Sequence, residues 1–196
     1  MKKRFILLLA VLFLATAAIL AGCGGSAKED KNEPDSTLIG NQLIEDFTTN
    51  TIHGEAVTMT ELFEGYDVIM LNVWGTFCGP CVQEMPHLGE IAREYADKKV
   101  LLVGVVSDIS DASGVITADY LLQDALDIVE TTGADYAHLL PCEGLMPLLY
   151  QVPALPTTVF LNAEGYQLGS AQVGALDKAG WTGLLDAILE QLKNDA

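Results

Sequence analysis

"NVWGTFCGPCVQEMP", residues 72–86, places Cys78 and Cys81 two residues apart, with Gly79 and Pro80 between them. The residues on either side define their setting. "DVIMLNVW", residues 67–74, is a nearly continuous apolar run of strand length, the pattern of a strand buried on both faces of a sheet. After Cys81 the apolar positions Val82, Met85, Leu88, Ile91 and Tyr95 recur every three or four residues, so one stripe of a helix faces a core. Cys78 therefore falls at a helix N-terminus, just beyond the end of a central strand.

Three chemistries use a CxxC pair. A structural disulfide at this spacing closes a loop too short to restrict the unfolded chain much. Zinc needs four ligands, and no second CxxC or paired histidine supplies them; Cys142 alone is insufficient. A redox pair has a mechanism at hand. The N–H groups and positive end of a helix stabilise a thiolate at its first turn, where Cys78 stands. Cys81, one turn in, is expected to stay protonated until a mixed disulfide forms on Cys78 and then to attack it. No metal and no cofactor are expected.

Outward from this motif, "VLLVGVV", residues 100–106, reads as a second buried strand, and a helix between two such strands implies a parallel, right-handed crossover. A polar loop follows, then a helix over "TADYLLQDALDIVETT" and a short apolar run "YAHLLP", a helix and strand added to a smaller core. "TTVFLN", the turn "NAEG" and "YQLGSAQV" read as a hairpin. A last helix from Asp177 carries Trp181, Leu184, Leu185, Ile188 and Leu192 on one face. Upstream of the motif, residues 38–63 suggest a small hairpin, with turn-formers Asn50 and Gly54, leading into a short helix.

The first residues stand apart. Lys2, Lys3 and Arg4 precede an unbroken apolar run from Phe5 to Ala21, which reads as an export signal. The run ends in Leu20-Ala21-Gly22-Cys23, which resembles the bacterial lipoprotein signal. That resemblance implies a signal peptide over 1–22 and a lipid on Cys23; an uncleaved anchor is the alternative, and either puts the domain outside the cytoplasm. Residues 23–37 continue as "CGGSAKEDKNEPDST", small, polar and charged, a flexible tether. The folded domain is expected over 38–196.

The chain carries a net charge of −17; without the three basic residues of the signal, 7 Lys and Arg face 27 acidic residues, a net of −20. Nucleic acid is an unsuitable partner for such a surface. His53, His87 and His138 are scattered and read as surface or packing residues.

"WGTFCGPC" together with "ALPTTVFL" resembles the thioredoxin superfamily, and within it the membrane-anchored TlpA/ResA-like branch. Trp74, Pro86, the Leu155-Pro156-Thr157 loop and the pattern around Phe47 to Leu62 carry the resemblance over nearly all of residues 38–196. It implies an α/β thioredoxin-like fold: a central mixed sheet flanked by helices, with an extra N-terminal hairpin and a central helix-strand insertion. It also implies a thiol-disulfide oxidoreductase using Cys78 and Cys81, with Pro156 a cis-proline offering backbone groups to a client. Trp74, Phe77, Gly79, Pro80, Leu155 and Thr157 are the residues expected to shape or touch the client site. Phe77 stands where the family usually has tryptophan, and Asn72 where cytoplasmic thioredoxins carry a buried aspartate. Glu84, one turn beyond Cys81, matches an acidic residue of the branch and is expected to relay the proton of Cys81; a solvated helix glutamate is the plainer reading.

The implied partners are disulfide-containing clients, such as apocytochromes or oxidised repair enzymes, and an integral membrane thiol donor. Two other functions remain open: a peroxiredoxin-like peroxidase, although Thr76 has the wrong spacing from Cys78, and a lipoprotein that binds clients without catalysis. Cys142 reads as an inert buried thiol or as a third redox thiol on the same side of the sheet as the pair.

Overall fold

The computed structural model describes residues 39–195. The signal expected over 1–22, the lipidation at Cys23 and the tether over 23–37 lie outside the described residues.

In chain order the strands are β1 (Ile39–Gln42), β2 (Thr48–Asn50), β3 (Ala56–Thr58), β4 (Val68–Trp74), β5 (Val100–Val106), β6 (Ala137–Leu139), β7 (Thr157–Leu161), β8 (Tyr166–Leu168) and β9 (Gln172–Val173). The helices are α1 (Met59–Phe63), α2 (Gly79–Tyr95), α3 (Asp119–Thr132), α4 (Met146–Leu149) and α5 (Lys178–Asp195). The main sheet runs β1-β8-β7-β4-β5-β6, with β9 also paired to β7. β4, β5 and β6 are parallel, and β7 runs antiparallel to β4, so the sheet is mixed as expected.

Every residue of β4 is buried, because both faces of this strand are covered. Alternation sorts its side chains. Ile69, Leu71 and Val73 join Val103, Val105, Val159 and Leu161 on one face, packed against Phe47, Phe63, Leu145 and Leu148. Val68 and Met70 join Leu102 and Phe160 on the other, against Leu88 and Ile91 of α2 and Trp181 and Leu185 of α5. Burying each such side chain is worth about 1.5–3 kcal/mol, which fixes the register of the sheet.

The expected hairpin and short helix are present as β2, β3 and α1, with Gly54 in the turn at φ +80°. Thr58 caps α1: its hydroxyl accepts the Glu61 N–H at 3.2 Å and donates to the Glu61 carboxylate at 2.8 Å. The hairpin docks on the outer edge of β6. Ile52 N–H donates to His138 O and Leu140 N–H to Asn50 O, both at 2.9 Å, and the Thr49 hydroxyl donates to Leu140 O at 2.9 Å. An open edge is thereby closed.

Two expectations change, and one of the two readings of Cys142 falls. "YQLGSAQV" is two strands, not one, because Gly169 turns the chain at φ +66° between β8 and β9. Residues 39–42 form a sheet strand on β8 that the short apolar pairs did not reveal. Cys142 packs with Phe47, Leu145 and Leu148 on the opposite face of the sheet from Cys78 and Cys81. That placement removes the basis for a third redox thiol, and burial pushes the Cys142 thiol pKa up, against thiolate formation.

Candidate active site

The chain leaves β4 through a tight turn, with Cys78 N–H donating to Gly75 O at 3.0 Å. Asp108, just beyond β5, holds this turn: its carboxylate accepts Thr76 N–H at 3.1 Å and the Thr76 hydroxyl at 2.6 Å. Sequence reading missed Asp108, since nothing in its local pattern sets it apart from other loop acids. Thr76 is thus committed to Asp108.

Cys78 is the N-cap of α2, in extended backbone, and Pro80 lies in the first turn, where a missing N–H costs nothing. Cys78 and Cys81 form a disulfide with Cα atoms 5.3 Å apart. The Cys81 N–H donates to Cys78 Sγ at 3.3 Å. In the reduced state this helix terminus would place a backbone donor and the helix dipole against a Cys78 thiolate. Cys78 is 6% exposed and Cys81 only 1%, so attack from outside meets Cys78 first.

Gly79 and Pro80 are exposed, and Phe77 is 75% exposed beside the disulfide. The Leu155–Pro156 bond is cis, the isomer the resemblance implies. Leu155 is half-buried against the cluster that holds both cysteines. Pro156 O accepts Gly174 N–H at 2.9 Å, whereas the Leu155 N–H and C=O take no partner among the described residues. Thr157 is placed differently from expectation, whereas Trp74 is a packing residue that can shape the site only from within. Trp74 has no exposed surface and Thr157 only 3%, so neither offers a contact to a client.

Glu84 is 2% exposed, which sets aside the solvated glutamate. Its Oε1 accepts from the Asn72 amide at 3.0 Å and its Oε2 from Leu176 N–H at 3.2 Å. The Asn72 amide also donates to the Thr158 hydroxyl at 2.9 Å. Burial raises the Glu84 pKa to about 7, against the lowering effect of the Leu176 and Asn72 bonds. The Trp181 indole N–H adds a smaller lowering effect from nearby, short of hydrogen-bonding geometry. The outcome is a buried carboxyl that gains or loses a proton near neutrality.

His138 is buried, and its Nδ1 accepts the Trp74 Nε1–H at 3.1 Å. Its signal in the sequence was a lone imidazole inside the apolar run "YAHLLP", which has to find partners once buried. Among the described residues no cluster of three or more His, Cys, Asp or Glu could hold a metal ion.

Residues 39–166 match the AhpC/TSA family. The chain is 31% identical over 172 residues to the thiol-disulfide oxidoreductase ResA of Bacillus cereus, covering 84% of this chain and 86% of that one. It is 28% identical to ResA of Oceanobacillus iheyensis over 97% of this chain and 92% of that one. Among solved structures, a thiol:disulfide interchange protein of the thioredoxin family from Chlorobium tepidum superposes with a TM-score of 0.60 at 19% identity, covering 76% of this chain and 97% of that one, which shows the fold. With a CxxC disulfide at the head of α2 and relatives of this kind along its whole length, the chain belongs to the AhpC/TSA family, as a thioredoxin-like thiol-disulfide oxidoreductase of the ResA type.

Proposed function

We propose that this oxidoreductase works as a reductant of protein disulfides on the outer face of a bacterial membrane. In this reading residues 1–22 are removed, a lipid on Cys23 holds the protein, 23–37 is a tether and 38–196 is the working domain. The observation that carries the chemistry is Cys78 as the N-cap of α2, its sulfur already meeting the Cys81 N–H.

The Cys78 thiolate attacks a client disulfide. One client sulfur joins Cys78 in a mixed disulfide; the other leaves as a thiolate and is protonated by solvent. Cys81 then gives its proton to Glu84 and attacks Cys78 Sγ. The Cys78–Cys81 disulfide closes, the client's remaining sulfur leaves, and the proton passes to it. Two electrons have moved from the dithiol to the client. A thiol donor in the membrane restores the dithiol by the same exchange in reverse.

The client backbone lies along Leu155, whose N–H and C=O are available to an extended chain beside cis-Pro156. Phe77, Gly79, Pro80 and Leu155 form the contact surface. Disulfide-bonded polypeptides such as apocytochromes or repair enzymes fit such a site. Reduction is favoured by the Gly79-Pro80 pair, which matches thioredoxin, a reductant near about −270 mV.

Replacing Cys81 by serine tests the scheme. The variant is expected to accumulate covalent adducts of clients with Cys78 in the native host; unaltered client handling without adducts would favour simple binding. Equilibration with glutathione buffers sets the direction, since a potential above about −180 mV would place the protein among the oxidants. Loss of radiolabelled fatty acid from a Cys23→Ala variant tests the anchor.

A further inference from the structure

Trp74 is wholly buried, so its indole N–H has to be met inside the protein. His138 Nδ1 meets it at 3.1 Å. The ring proton then sits on Nε2, which faces the Ala134 carbonyl at 2.9 Å. A neutral imidazole in one tautomer is therefore specified from both ends.

This pair reaches across the sheet. Trp74 ends β4 opposite Val106 of β5, and His138 of β6 pairs with Gly104 of β5, two residues earlier on that strand. A Cβ at Gly104 would collide with His138 Nδ1 and approach Trp74 Nε1 to 3.1 Å. The two rings meet edge to face with centroids 5.5 Å apart, and Tyr136 lies 4.4 Å from the imidazole. Trp74 belongs to the same buried cluster as Cys78, Cys81 and Met85. The His138 carbonyl meanwhile takes the Ile52 N–H from the end of the docked hairpin. The helix-strand insertion thus delivers one hydrogen-bond acceptor to a tryptophan of the cluster that holds the redox pair.

We propose that His138 is a positioning residue for thiol exchange: its Nδ1 fixes the Trp74 indole, and the indole fixes the packing on which Cys78 and Cys81 rest. The inserted strand then serves the chemistry as well as the fold. This inference rests on the exchange reading of the Cys78–Cys81 pair.

The test uses the full chain with His138→Phe, which keeps a ring but strands the indole N–H, and His138→Gln, which restores an acceptor. Insulin reduction and the pH profile of Cys78 alkylation by iodoacetamide are the readouts. His138→Phe is expected to slow turnover roughly tenfold, the scale of a stranded buried donor, and to displace the alkylation profile. His138→Gln should recover most of both. Wild-type behaviour of His138→Phe in both readouts, or equal impairment of the two variants, overturns the proposal. If His138→Phe does not fold, Trp74→Phe removes the donor instead; it should show the same displaced profile, and an unmoved profile overturns the proposal. Cys78→Ser separates the two ideas. Turnover surviving that change sinks the exchange reading itself, whereas an inert Cys78→Ser beside a fully active His138→Phe sinks only the role of His138.

Discussion

The Asn72 amide donates to both the Glu84 carboxylate, at 3.0 Å, and the Thr158 hydroxyl, at 2.9 Å, tying β4 to α2 and to β7 around one buried acid. An amide here supplies a donor that no pH change removes. Glu84 is consequently the one acid in this cluster, and its proton is not shared.

Asn72→Asp would place a second carboxyl beside the first. Two such groups titrate as a coupled pair, with one apparent pKa pushed above that of Glu84 alone. The acid limb of the pH–rate profile for insulin reduction is expected to move to the alkaline side of about 7, where Glu84 now titrates. A limb that stays in place would show that Asn72 does not govern this proton.

Stability should carry the same signature. The Glu84 pKa is raised from 4.5 to about 7 on folding, so between these values the native state binds the extra proton. Its contribution is complete below pH 4.5 and is lost as pH rises through about 7. The difference is on the order of 3 kcal/mol. Urea unfolding of the oxidised protein at pH 5 and pH 8 measures it, and Glu84→Gln should flatten it.

Glu84→Gln should also slow exchange. Loss of a positioned proton acceptor costs about 10²-fold or more, and the effect should fall on Cys81 attack, not on the first attack by Cys78. Stopped-flow mixing of the reduced variant with a chromogenic disulfide separates the two steps. A variant that stalls at the first step would reassign Glu84.

Cys142, on the far face of the sheet, is expected to stay silent in exchange. Cys142→Ala should leave turnover and potential unchanged and cost about 1 kcal/mol for the lost packing. With Cys23 replaced, thiol titration of the oxidised protein should find no reactive thiol until the chain is unfolded. Rapid native reaction would contradict the burial of this side chain.

The crossing of α2 and α3 is set by a missing side chain. A Cβ at Gly89 would run into the backbone carbonyl of Gly133, the residue that ends α3 at φ +68°. Gly89→Ala should therefore lower stability by about 1–3 kcal/mol, seen as a reduced urea midpoint. A neutral result would mean that the helices can separate freely.

The strands and helices that carry the site were legible because their signals are local. The apolar run of β4, the stripe of α2 and the two cysteines at their junction lie within about thirty residues, and Cys78 fell where a helix begins. What escaped was set by partners far along the chain. β1 is a strand because β8 is there to pair with it, and Asp108 matters because Thr76 is presented to it. The helical turns at Glu143–Leu145 and Met146–Leu149 are too short to show a period. Which face Cys142 would take depended on the path of a loop, which one sequence does not display.

The hairpin that covers β6 has an implication for biosynthesis. Thr49 precedes its partner Leu140 by 91 residues, so the covering segment is already made when the vulnerable strand emerges from the ribosome. A nascent chain ordered this way has its own lid waiting for the sheet margin, which shortens the interval in which neighbouring chains could zip onto it. Reversing that order by circular permutation would lengthen this interval and invite polymerisation.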